Sequence, residues 1–311
     1  MSLKYNEKNY PYIELDGGYQ IVIQEDRCNH DEPFATKARQ EINDNPDHIA
    51  RAVEEVRHLV AADERFNLPF HEDWYVTTYL RAGANDPQET YKILADTGYQ
   101  KSTNCEYFCD LASIRHVFDE GLVWIVPERD EDGSVVIVVE SGKKWNPSKV
   151  SLVQLNTACN AAISALMQSE EAQIHGYKMI IDVEGLSMTQ ILQFTPQSTK
   201  IMLDQLDKCS PIRLKTVHTV NNGMVYNVLF SIMKPLMSKR MREKMMIHGR
   251  NWNELGKHIS LKVLPPRFGG TSKAPAYDGR LFGDLMMHFN EWMQRMHGFG
   301  FKRKYYVKGA Q

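Results

Sequence analysis

The sequence has no apolar run approaching the roughly 18 residues needed to cross a bilayer as a helix. Its start, MSLKYNEKNYPYIELDGG, lacks the apolar centre of a signal peptide. Both observations lead to the expectation of a cytoplasmic protein. An excess of one charge is also missing: 37 Lys and Arg stand against 39 Asp and Glu, a formal net charge of −2. No global field therefore favours nucleic acid, and any basic site must be local. There are five cysteines, an odd number at irregular spacing without a CxxC pair, so neither a disulfide framework nor a zinc site is expected. Cys105 and Cys109 lie one helical turn apart, but two ligands without a second pair do not hold zinc. No GxxxxGK loop, no GxGxxG after a strand, no GxSxG and no HExxH occurs, and the eleven histidines are scattered.

What is present is patterning. Residues 1–30 are aromatic and polar, with YQIVIQ (19–24) as a short strand, and form an N-terminal extension. Residues 31–116 are helical. In DHIARAVEEVRHLVAADERF the apolar Ile49, Ala52, Val53, Val56, Leu59 and Val60 recur at helical spacing behind Asp47 as N-cap. Together with EDWYVTTYLRAG and PQETYKILADTGYQK this predicts a bundle of three or four helices. After Gly121 the period changes. Two β-branched runs around DEDG predict a strand pair. A long helix over about 149–175 follows, then the strand KMIIDVEG, a helix over about 189–208 and the strand IRLKTVHTVN. That alternation specifies an α/β domain, 117–275, with a mostly parallel sheet. Residues 222–263 are expected to be helical again, and 276–311 to form a last helix and a basic tail.

Three features carry candidate chemistry. Asp182 and Glu184 share a face at a strand end, where a carboxylate pair could work, although capping or local pairing explains two acids more economically. Nothing else points to an enzyme. The segment NNGMVYNVLFSIMKPLM is apolar around most of a helical circumference, broken only by Asn227, Ser231 and Lys234. Such a helix is buried on several sides, as core or between an internal ligand and lipid. Its methionines suit a surface that repacks. Beyond Pro235, Lys239, Arg240, Arg242 and Lys244 fall within six positions of a basic helix. No aromatics interleave them, which argues against nucleic acid; basic residues beside an apolar helix fit an anionic membrane surface. A solvated face remains the commoner origin of a charge run.

The order KMIIDVEGLS, SPIRLKTVHTVNNGMVYNVLFSIMKPLMSKRMREKMMIHG and LPPRFGG resembles the CRAL-TRIO lipid-transfer family, nearest its tocopherol- and retinaldehyde-binding members, over about residues 32–285. The resemblance implies an apolar cavity over a sheet floor, closed by a movable gate helix at about 222–237. By position in the family pattern, Cys159, Ile163, Ile181, Val183, Met202, Ile212, Met224, Val228, Leu229 and Ile232 would line the pocket. Arg213, Lys215, Arg240 and Lys244 would contact phosphoinositide head groups. It implies a small hydrophobic ligand (retinoid, carotenoid or tocopherol), no cofactor, and peripheral association with anionic membranes. A phosphoinositide-reading adaptor is the alternative. The chain departs from the pattern at Gly83, where a basic residue is usual, and at Gly223, where proline is usual.

Overall fold

The computed structural model describes residues 1–25 and 32–306. The chain begins as an antiparallel sheet of β1 (Ser2–Tyr5), β2 (Pro11–Glu14) and β3 (Gln20–Val22), so the extension is a folded element. Alternation explains why: Ile13 and Ile21 point inward and are fully buried.

The helical part contains α1 (Glu32–Ile42), α2 (Pro46–Ala62), the short β4 (Phe66–Asn67), α3 (Asp73–Ala82), α4 (Pro87–Thr103) and α5 (Leu111–Asp119). That is five helices rather than three or four. In α2 the expected stripe is buried at Ala52, Val53, Val56 and Val60, while Ile49 and Leu59 are half-buried. Its N-cap is Asn45, not Asp47: Pro46 takes the first helical position, where its missing N–H costs nothing, and the Asn45 side chain accepts from the Asp47 amide.

The α/β part runs β5 (Val123–Ile125), β6 (Val135–Glu140), α6 (Leu152–Ala165), α7 (Glu170–His175), β7 (Tyr177–Asp182), α8 (Met188–Ile191), α9 (Pro196–Lys208), β8 (Leu214–Val220), α10 (Met224–Met233), α11 (Lys239–Lys244) and β9 (Met245–Gly249). After α12 (Trp252–Leu255) come α13 (Gly279–His288), α14 (Asn290–His297) and β10 (Gly300–Phe301). The expected long helix over 149–175 is broken, because Ser169 leaves the helical conformation and caps α7 by accepting from the Ala172 amide.

One sheet, in the order β5-β6-β7-β8-β9, organises this part; β5 pairs antiparallel and the rest are parallel. All of β6 is buried, since both faces are covered. Val135, Ile137 and Val139 join the main core with α6, while Val136 and Val138 meet Leu255, Ile259, Leu264 and Phe268 behind the sheet. The edge strand β9 falls inside the region expected to be helical. MMIHG follows directly on α11 and pairs with β8 from Val217 to Val220. At the far end β10 pairs with β4 and ties the C-terminal segment to the helical part.

Candidate ligand-binding cavity

Between the front of the sheet and helices α6, α9 and α10 lies a cavity of about 110 Å³. Val139, Met179, Ile181 and Val183 supply its floor, Leu152, Leu155 and Cys159 one wall, and Met202, Leu203 and Leu206 another. Helix α10 closes it with Tyr226, Leu229 and Met233. Those three positions, spaced three and four apart, share one helical face. The opposite face is open: Met224 is 87% exposed and Val228 43%. A helix read as buried on several sides is thus buried on one side, and its open face mixes Met224 and Val228 with Asn227 and Ser231.

The ends of α10 are held differently. At its start, Asn221 takes a positive φ of 56°, donates from its side-chain amide to Asp182 at 3.0 Å, and pairs its backbone N–H with the Gly249 carbonyl at 2.7 Å. Gly223 at the N-cap offers no side chain to the free amides. At its end, Lys234–Leu236 form a tight turn at Pro235, and Ser238 caps α11. The Tyr226 hydroxyl meets Thr219 Oγ1 of β8 at 3.1 Å, a direct polar bond between α10 and the floor.

Of the ten residues named from the sequence, Cys159, Ile181, Val183, Met202 and Leu229 face this cavity. Five stand outside it. Ile163 lies on a smaller adjoining cavity of about 70 Å³. Ile212 is buried in the core ahead of β8, Ile232 packs beside the cluster of Val183, Leu186 and Ile191, and Met224 and Val228 are on the open face. Sequence reading missed Tyr226, Met233, Thr199, Met241 and Met245 as lining residues. The i, i+3, i+7 run of Tyr226, Leu229 and Met233 carried the information for two of them.

Asp182 and Glu184 do not converge as a dyad. Asp182 is buried and accepts from the Glu184 amide and from Asn221, whereas Glu184 turns outward to Lys143 at 2.7 Å and Arg250 at 3.2 Å.

The four basic residues do not share one partner, and Lys244 lies near enough to Arg240 and Arg213 to feel both charges. Arg213 and Lys215 share Glu41, at 2.9 and 3.3 Å, and Lys215 also reaches Asp132 at 3.0 Å. Burial pushes the Glu41 carboxyl up, but the Arg213 hydrogen bond and the charges around it leave it below the usual range. Lys244 donates to the Leu214 carbonyl at 2.7 Å, and its pKa is lowered by burial and then by Arg240. Arg240 binds Asp207 and Glu89. Each cation therefore has an internal acceptor, and a polyanion would compete with carboxylates for three of them.

Among the described residues no helix is long and apolar enough to cross a membrane. Residues 119–270 match the family model described as CRAL/TRIO domain. The chain is 27% identical to a mouse alpha-tocopherol transfer protein-like protein over 79% of this chain and 72% of that one. It is 28% identical to clavesin-1 of Xenopus laevis over 78% and 73%, and 26% identical to rat clavesin-2 over 78% and 74%. The crystal structure of Sfh5 superposes with a TM-score of 0.45 at 12% identity, covering 81% of this chain and 99% of that one. The strand-floored apolar cavity under a short apolar helix lies within this matched segment, so the chain carries a CRAL/TRIO domain over residues 119–270.

Proposed function

We propose that the protein is a cytosolic, peripherally membrane-associated carrier of a small hydrophobic ligand, a retinoid, carotenoid, tocopherol or similar lipid, rather than an enzyme. The supporting observation is the cavity closed by α10, whose inner face is apolar and whose outer face exposes Met224 and Val228. Burial supplies the binding energy: at about 25 cal/mol per Å² of apolar surface, several hundred Å² hold a ligand without an ionic anchor. The names of relatives, an alpha-tocopherol transfer protein-like protein among them, support lipid transfer.

The closed cavity, about 110 Å³, is far below the roughly 300–1,000 Å³ of sites for drug-sized ligands. Loading therefore requires expansion. Met179, Met202, Met233, Met241 and Met245 line it, and their unbranched side chains repack at low cost. Displacement of α10 supplies the rest. In this reading Arg213, Lys215, Arg240 and Lys244 exchange internal carboxylates and a carbonyl for phosphoinositide head groups on an anionic membrane, and α10 lays its exposed face on the bilayer. The Arg240–Glu89 pair, 45% and 34% exposed, contributes only about 0–1 kcal/mol, whereas Arg213, Lys215 and Asp207 are 19%, 16% and 5% exposed and give up their partners only to a polyanion that replaces them. Native extraction of the purified protein followed by mass spectrometry tests the carrier: a discrete apolar molecule at near one equivalent supports it, and an empty extract from protein that also takes up no lipid from vesicles refutes it.

A further inference from the structure

Two polar side chains along the cavity, Asn156 and Asn160, are engaged away from α10. The Asn156 and Asn160 amides both donate to Gln205 Oε1, at 2.5 and 2.8 Å. Two groups differ. Thr199 on α9 is 2% exposed, lines the cavity, and its hydroxyl has no hydrogen-bond partner among the described residues. Thr219 and Tyr226, 1% and 3% exposed, also line it and have each other, but only while α10 is closed. Opening the gate separates that pair and leaves the Thr219 hydroxyl facing the space the ligand enters. Among the described lining residues there is no lysine, arginine or histidine to balance an anion.

We infer that the cavity selects a neutral ligand carrying a single hydroxyl or carbonyl oxygen, anchored by Thr199 and by the Thr219–Tyr226 pair, and that this pair is the latch a bound ligand re-forms or replaces. The inference rests on the carrier reading and narrows its ligand class. A hydroxyl both donates and accepts, so it satisfies a latch hydroxyl from either side. A pure hydrocarbon leaves Thr199, and the latch if it stays open, unpaired in an apolar space, which disfavours it by about tenfold or more per group. A carboxylate brings a buried charge with no cation to meet it. Sites built to bond a ligand oxygen reject analogues lacking it more strongly than they reject a change of chain length.

The test offers delipidated protein to neutral vesicles holding equimolar phytol, phytane and phytanic acid, and separately hexadecanol, hexadecane and palmitic acid, at pH 8. Protein is re-isolated and its lipid quantified by gas chromatography–mass spectrometry. The expected result is about tenfold or greater enrichment of an alcohol over its alkane and its acid. In Thr199→Val with Thr219→Val and Tyr226→Phe, three near-isosteric changes that remove every proposed anchor, the alcohol-to-alkane ratio falls below about threefold, with the melting temperature used to confirm folding. Equal capture of alcohol and alkane by the unaltered protein overturns the anchor and leaves the carrier standing. An unchanged preference in the folded triple variant overturns the assignment to these residues. Capture of no member of either set overturns the carrier reading itself.

Discussion

Arg240 Nε lies 2.9 Å from Asp207 Oδ1, so the basic helix after α10 is clamped to α9, a wall of the cavity. The same guanidinium reaches Glu89 of α4 at 3.0 Å. Asp207 has one further side-chain donor here, Ser238 Oγ at 2.7 Å. Arg240→Ala is expected to cost about 1 kcal/mol, a figure already reduced because Arg240 is half exposed, and to speed ligand exchange. Urea midpoints and stopped-flow release of a fluorescent ligand check both parts. An unchanged release rate would separate the clamp from the gate.

Charge reversal at Lys244 is a different experiment. Lys244→Glu sets a carboxylate against the Leu214 carbonyl that the lysine now binds at 2.7 Å. This variant should lose about 1–3 kcal/mol of stability before any membrane is present. Denaturation in vesicle-free buffer measures that loss, which must be subtracted before slower transfer is assigned to weaker docking.

The outer face of α10 can be altered without touching the cavity. Met224→Asp with Val228→Asp should leave stability within about 0.5 kcal/mol, since both positions are exposed, and ligand affinity unchanged. Transfer between vesicles should fall about tenfold, because the surface that would enter the lipid becomes anionic. Loss of ligand affinity in parallel would mean that α10 has no separate membrane face.

Salt should act on docking alone. Raising ionic strength from about 0.1 M to about 1 M shortens the screening length from about 10 to about 3 Å. Transfer to anionic vesicles is expected to slow several-fold while transfer to neutral vesicles stays constant. A rate independent of salt on both would remove Arg213, Lys215, Arg240 and Lys244 from the docking step.

Behind the sheet, His218 Nδ1 and His248 Nε2 are 2.9 Å apart, with the His258 ring 5.6 Å from that of His218. Burial, then the neighbouring His248, His258 and Lys178, push the His218 pKa down to about 3, and burial lowers His248 as well. An unfolded histidine near 6.5 binds a proton before the folded one does. The stability contribution of His218 is therefore complete above about pH 6.5 and is lost as pH falls toward 3, by up to about 1.4 kcal/mol per pH unit. Urea midpoints at pH 7.5 and 5 should differ accordingly, and His218→Gln should show the smaller difference. Identical pH dependence in both proteins would exclude His218 as a source.

Local patterns made much of the fold legible. The two β-branched runs around DEDG became β5 and β6, KMIIDVEG became β7, and the stripe from Ala52 to Val60 became the buried face of α2. Where the reading failed, a neighbour decided. MMIHG continues a charged helix by composition, yet β8 offers it an open sheet edge, and backbone pairing outweighs propensity. The cavity was only half legible for the same kind of reason. Leu229 and Met224 are both apolar residues of α10, and rotation of the helix against the sheet alone sends one inward and leaves the other 87% exposed.

By itself, then, the sequence determined the strand–helix alternation from β5 to β8, a mostly parallel sheet and an apolar helix followed by a basic one, because hydrophobic period and charge are written within a few turns of chain. Tertiary structure alone decided that Glu41 lies under Arg213, Asp207 under Arg240, and Thr219 against Tyr226. The two ion pairs join residues far apart in the chain, and the hydroxyl pair joins two elements across a turn. All three depend on how helices seat on the sheet, a relation that no local pattern carries.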